Sequence, residues 1–231
     1  MNRKTLPFTS HLTKGQAIAA LVYMPVHMVL LPLAATFLLL RGLLDESQAN
    51  LLCYVLGVAY MLIFLWKFFR RDFDALWDHP WVCIREVLVC YGLMLCCNLV
   101  VNSIMLLLGM GDNPNNEAVF GMAGMTFGPI AAMAVFMAPI VEESIFRAGL
   151  FGVLRRRNRT LAYVVSMAMF SLYHVWSYAF LDLKNLIYLL QYLPVSYLLC
   201  RCYERTNSIW GSIFLHMLVN GVSMWLLYAM M

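Results

Sequence analysis

Glu142 and Glu143 stand side by side in Pro139-Ile140-Val141-Glu142-Glu143-Ser144-Ile145-Phe146-Arg147, inside an apolar run from about Thr126 to Leu154. Two carboxylates and a guanidinium at hydrocarbon depth are each unfavourable by roughly 2.5–3.5 kcal/mol on insertion scales, so something must offset them. Glu143 and Arg147, four apart, share one helix face in the favourable acid-before-base order. Glu142 sits about 100° round the helix and lacks that partner. A buried ion pair locking helix to helix explains Glu143 with Arg147 and leaves Glu142 over. Intramembrane ionisable residues of that kind are functional by default.

Few other strongly polar side chains lie deep in apolar sequence: chiefly His27, Asn98, Asn102, His174, Gln191, His216 and Asn220. His216 and Asn220, four apart, share a helix face. At about 1.5 Å per residue, Glu142 lies roughly 20 Å from Arg155, His174 about 21 Å from Thr160, and His216 and Asn220 about 12 and 18 Å from Ser208. These depths allow all four to share one layer. Taken alone, either histidine is explained by an interhelical hydrogen bond; together with an unpaired Glu142 they suggest chemistry.

A carboxylate beside an imidazole can hold a water, remove its proton and present the oxygen to a carbonyl. A second histidine and an amide on a facing helix can donate hydrogen bonds to the oxyanion that develops. Pro139, three residues before Glu142, frees a helix carbonyl and favours a kink with a wet cavity beside the acids. Other routes to peptide cleavage in a membrane find less support. No H-E-x-x-H is present for a zinc metalloprotease, and no G-x-S-G for a serine protease. Gly109-Met110-Gly111-Asp112 is similar to the G-x-G-D of aspartyl enzymes, but no second Asp lies in an apolar span.

The elements that must position these groups are membrane helices. With 63% hydrophobic and 12% charged residues in 231 positions, the chain lacks the polar surface of a water-soluble globule. Apolar runs at Ala17 to Leu40, Ala49 to Trp66, Val87 to Leu108, Thr126 to Leu154, Thr160 to Leu181, Asn185 to Leu199 and Ile209 to Met230 predict an all-α, polytopic protein of seven spans. An eighth helix has room in Phe73 to Val82, which reads better as interfacial, or in Val119 to Met125. The sixth run is short and carries Pro194, which should kink it or make it partly re-entrant. The first run is too long for a signal sequence and reads as a retained span.

Basic residues alternate sides as seven spans require. Arg3, Lys4, Lys14; Lys67, Arg70, Arg71, Arg85; Arg155, Arg156, Arg157, Arg159; and Arg201, Arg205 fall on one side, and only Arg41 and Lys184 on the other. The positive-inside rule then puts the N-terminus in the cytoplasm and the C-terminus outside, in the cell membrane. The net charge of +4 is spread over these loops, so nucleic acid is not an expected partner. Cys53, Cys83, Cys90, Cys96, Cys97, Cys200 and Cys202 include no C-x-x-C pair and read as free thiols. No soluble domain or internal repeat is visible, so residues 1–231 read as one membrane domain with its motifs in 126–231.

Glu142-Glu143-x-x-x-Arg147, Phe170-x-x-x-His174 and His216-x-x-x-Asn220, in that order on successive helices, resemble the three motifs of the CPBP family of intramembrane proteases. That family includes the CAAX prenyl endopeptidases and bacterial proteins tied to bacteriocin processing and immunity. The resemblance implies that Glu142 and His174 activate the water, that His216 and Asn220 form the oxyanion site, and that Glu143 and Arg147 brace it. It implies an endopeptidase acting on a peptide or membrane-protein substrate in the bilayer, with no cofactor. Glu142 with two histidines also offers a three-ligand zinc site, though Asn220 is a poor zinc ligand and the resemblance gives His216 to the oxyanion. Because the acids precede Arg155 to Arg159, the site is expected to open to the cytoplasmic leaflet. The rival readings are an immunity or scaffold protein that keeps the site for binding, and a proton-coupled transporter, which the lack of a two-fold repeat disfavours. The first three spans carry no motif, and nothing in the sequence fixes substrate or oligomeric state.

Overall fold

The computed structural model describes residues 8–231, so Arg3 and Lys4 of the basic N-terminal group lie outside the described residues. Among the described residues there is no strand, and the chain is an all-α, multi-pass bundle. Its eight helices are α1 (Lys14–Leu40), α2 (Glu46–Asp78), α3 (Pro80–Leu107), α4 (Pro114–Met125), α5 (Phe127–Arg155), α6 (Arg159–Leu181), α7 (Leu189–Thr206) and α8 (Ile209–Met230). Side-chain caps set several starts: Thr13 and Asp45 close capping boxes with Gln16 and Gln48, and Asn113, Asn158 and Ser208 cap α4, α6 and α8.

Six of these helices, all but α4 and α7, are long and apolar enough to cross a membrane. The expected sixth run is a 3-10 turn, Leu183–Tyr188, followed by the 18-residue α7, which continues through Pro194. Arg201, Glu204 and Arg205 in its last turns make α7 less apolar than the others, so it is not among those six. Val119 to Met125 belongs to α4, whose 12 residues are too few to span. The stretch expected along the interface instead joins α2 to α3 at a corner on His79, where Pro80 forbids continuation of α2 and starts α3 as its first residue.

α5 is the central helix: 61% of its most apolar stretch is buried, against 17–28% for the other five long helices. Three prolines shape the interior. In α1 a π turn at Val26–Leu30 lies between Pro25 and Pro32, and in α5 a π turn at Met133–Met137 precedes Pro139. All seven cysteines are free.

The end that carries the basic loops is tightly knit. The segment before α1 lies across it: Thr9 and Ser10 donate backbone N–H groups to Asn207 Oδ1 at 2.7 and 3.0 Å, and Tyr203 OH donates to the Ser10 carbonyl at 2.7 Å. Arg71 reaches the His11 carbonyl at 3.0 Å and Arg156 the Leu12 carbonyl. Buried Asp72 accepts from Ser10 Oγ and, at 3.0 Å, from the Ile209 N–H. Glu204 gathers Arg155, Arg159 and Tyr163 at 2.6–2.8 Å.

Candidate active site

Glu142, Glu143 and Arg147 lie at the middle of α5, all buried. Glu143 Oε1 accepts from Arg147 Nη1 at 3.1 Å, and both side chains are fully excluded from solvent. Arg147 also donates to Ser196 Oγ on α7 at 3.1 Å and lies 4.1 Å over the Phe170 ring on α6. These contacts hold the guanidinium from α5, α6 and α7, while Arg147 Nε and Glu143 Oε2 are buried without a hydrogen-bond partner.

His216 on α8 adds a third contact to this pair. Its Nδ1 is 2.9 Å from Glu143 Oε1, and since an ionised carboxylate only accepts, Nδ1 carries the proton. Its Nε2 therefore faces Glu142 Oε2, at 4.0 Å. His174 on α6 is fixed in the same way: Nδ1 donates to the Phe170 carbonyl at 2.8 Å, so in the neutral ring Nε2 is an acceptor. Its Nε2 lies 3.6 Å from Glu142 Oε2, and the ring stacks on Tyr192 of α7 at 4.4 Å. Both separations are too long for a direct hydrogen bond and suit one bridging oxygen. Glu142 Oε2 is buried and has no hydrogen-bond partner.

Asn220 sits one turn above His216 and donates Nδ2–H to the Ala134 carbonyl on α5 at 2.8 Å. The local backbone explains why that carbonyl is free. In the π turn the Ala138 N–H bonds Met133, five residues back, and the next donor in that register would be Pro139, which has none. Asn220 satisfies the orphaned carbonyl, and its second N–H remains to donate elsewhere. The structure thus brings all six sequence-expected residues, Glu142, Glu143, Arg147, His174, His216 and Asn220, to one layer.

It also adds residues that the sequence reading passed over. Tyr54 OH on α2 donates to Glu142 Oε1 at 3.0 Å, and Tyr54 and Tyr173 oxygens are 3.0 Å apart. Tyr173 OH in turn lies 3.1 Å from His27 Nε2. The carboxylate end fixes the direction of the chain: Tyr54 spends its proton on Glu142, Tyr173 donates to Tyr54, and His27 Nε2–H donates to Tyr173. Glu142 is therefore steered by α1, α2 and α6 together. Gly57 permits this, because a methyl group there would stand 2.9 Å from Val141 Cγ2 and 3.1 Å from Tyr23 OH. Only a glycine lets α2 approach α5 closely enough, one turn away, for Tyr54 to reach. The apolar spacing that marks spans treats tyrosine as one more large residue, and the one signal was Tyr173 beside His174.

These groups line a cavity of about 730 Å³. Its walls continue from Glu142 past Asn220, Ser177 and Asn50 to Asn116 in α4, at the end of the bundle opposite the basic loops. The expected opening toward Arg155 to Arg159 is not there. Below the acids on that side, Phe146, Phe151 and Tyr203 fill the interior with at most 1% exposure. Among the described residues no three His, Cys, Asp or Glu side chains are grouped so as to hold a metal ion.

Residues 124–222 match the family model of the type II CAAX prenyl endopeptidase Rce1-like proteins, a stretch that holds every motif residue above. Over 85 residues the chain is 35% identical to "Putative membrane peptidase YdiL" of Bacillus subtilis (strain 168), covering 36% of this chain and 31% of that protein. Over 103 residues it is 32% identical to "UPF0177 protein YajF" of Lactococcus lactis subsp. lactis (strain IL1403), covering 43% and 45%. The matches thus span about a third to under a half of these relatives. No solved structure matches the chain. The family resemblance carried by the three motifs is borne out by the match over residues 124–222.

Proposed function

We propose that this chain, whose residues 124–222 form an Rce1-like type II CAAX prenyl endopeptidase domain, is an intramembrane endopeptidase that cuts a peptide bond with water activated by Glu142. The observation that carries this is the geometry at Glu142 Oε2: a buried carboxylate oxygen without a hydrogen-bond partner, 3.6 Å from one imidazole nitrogen and 4.0 Å from another. A water between them gives one proton to the carboxylate and points the other at His174 Nε2. Its oxygen adds to the substrate carbonyl carbon, Glu142 holds the proton, and the carbonyl oxygen becomes an oxyanion. Glu142 then returns the proton to the leaving nitrogen as the carbon–nitrogen bond breaks, which restores the carboxylate.

His216 and the free N–H of Asn220 are the donors for the oxyanion. His216 donates through Nε2 in the form whose ring carries both protons, with Nδ1–H held by Glu143 Oε1 at 2.9 Å. Two carboxylates, one guanidinium and one imidazolium then sum to zero charge, which suits a site inside hydrocarbon. Arg147 holds Glu143, Glu143 holds His216, and Tyr54 holds Glu142. This scheme uses no cofactor.

The substrate is a peptide or membrane protein met within the bilayer. Comparing protein C-termini in membranes from cells with the wild-type chain and with Glu142→Ala tests the proposal. New C-termini that require Glu142 are expected. Identical C-termini in the two membranes would favour a family member that acts by binding.

A further inference from the structure

The cavity is blind on one side. The long helices that line it contribute from one half only: α1 from His27 to Leu39, α2 from Glu46 to Tyr54, α6 from Phe170 to Tyr178, α8 from His216 to Met224. That end is the one with the α1–α2 turn and α4, away from the basic loops. α5 shows the asymmetry along its own length. Toward α4 its Met133, Ala134 and Ala138 line the cavity; toward Arg155 its Phe146 and Phe151 are wholly buried and fill the interior. Beyond that plug, the segment before α1 is hydrogen-bonded across the basic face through Ser10, Asn207 and Tyr203. The two ends of the bundle therefore differ in access, and the Lys and Arg count assigns the sealed end to the cytoplasm.

We infer that the site is fed from the outer side of the membrane, and that its substrate is an uncharged, extended stretch of a membrane-anchored peptide exposed there. The lining chemistry supports the substrate class. Among the described residues no Lys or Arg lines the cavity, and the guanidinium near the acids, Arg147, is committed to Glu143 and Ser196. A chain-terminal carboxylate or an acidic side chain would meet Glu142 or Glu46 with no Lys or Arg to receive it, and His216 is already engaged by Glu143. The outer half is instead lined by amides: Asn50, Asn98, Asn102, Asn116 and Gln191. An amide donates and accepts at once, as a peptide backbone does, so these walls fit the middle of a polypeptide chain. The outer half of α1 packs chiefly on α2, and its Pro32 and Thr36 wall the cavity across from Trp176 and Ser177 of α6. An anchored chain can enter sideways there while its anchor stays in lipid.

The inference rests on the protease proposal for its chemistry but not for its geometry, and two measurements keep them apart. The first is labelling of Asn116→Cys, at the exposed mouth, with a bulky membrane-impermeant maleimide, using the wild-type chain under the same treatment to account for native thiols. Labelling is expected in intact cells and not in inverted vesicles, and it should lower Glu142-dependent cleavage at least tenfold relative to the same variant unlabelled. Labelling from the cytoplasmic face alone, or full labelling from outside without loss of cleavage, overturns the access route even if the chain is a protease. The second is the position of each Glu142-dependent cut: outside or in the outer half of the bilayer, without Asp or Glu in the residues flanking the bond. Cuts that release short cytoplasmic C-termini contradict the inference and leave the protease standing. Outside-only labelling with no Glu142-dependent cut contradicts the protease proposal and leaves the geometry standing.

Discussion

Replacing Arg147 by methionine removes a charge at nearly constant length from the most enclosed position in the bundle. Arg147 is fully buried, with Glu143 at 3.1 Å, Ser196 Oγ at 3.1 Å and the Phe170 ring at 4.1 Å. Arg147→Met leaves the Glu143 carboxylate in hydrocarbon with only His216 to answer it. Breaking one side of a buried pair is destabilising by about 3–5 kcal/mol. For a chain of this size each kcal/mol moves the melting midpoint by roughly 2–4 °C, so a fall of about 6–20 °C is expected. Thermal unfolding of detergent-purified protein, followed by size-exclusion chromatography of the heated samples, measures it. Arg147→Met with Glu143→Gln removes both charges and should recover more than half of the loss while remaining inactive, because His216 no longer has an anionic partner. An Arg147→Met midpoint within about 2 °C of the parent, well below the span expected from the ion pair, would refute the bracing role.

Tyr54→Phe deletes the donor to Glu142 Oε1; a hydrogen bond to a charged group contributes about 1.5–3 kcal/mol, so turnover should fall roughly tenfold or more with KM little changed, and an unchanged kcat in steady-state assays would count against it. Asn220→Ala removes one oxyanion donor and should lower turnover roughly 10²-fold to 10³-fold. Its pH–rate profile should still fall on the acid side, where Glu142 takes up a proton; loss of that limb would count against Glu142 as its source. Incubating purified protein with a strong chelator should leave cleavage unchanged, and inhibition reversed by added zinc would favour the three-ligand alternative.

The place of the candidate site was legible because charge in an apolar run is conspicuous: Glu142, His174, His216 and Asn220 line one cavity, as the residue counts from the loops suggested. The effect of Pro139 was legible in part. Its missing N–H does free a carbonyl, but the π turn moves that carbonyl to Ala134, and only the facing helix shows that Asn220 takes it. Which histidine nitrogen meets which carboxylate depends on helix rotation, which spacing leaves free. The approach of α2 is set by the absence of a side chain at Gly57, so the first three spans carry no motif yet supply Tyr54. The opening was misjudged from the nearness of Arg155 to Arg159. Depth in the bilayer does not say which half is packed; that depends on how Phe146, Phe151 and Tyr203 meet across helices, which spacing does not fix.

The central claim is that Glu142 is the base, and turnover by Glu142→Gln tests it most directly. The purified variant, reconstituted in lipid, would be compared with the parent on a substrate found through Glu142-dependent C-termini. Glutamine keeps the shape and still accepts from Tyr54 but cannot take a proton from water, so the rate should fall about 10²-fold to 10⁴-fold. The fold should be as stable as the parent's or more so, because an intramembrane charge has gone. Cleavage near the parent rate by a stable Glu142→Gln protein would contradict the account.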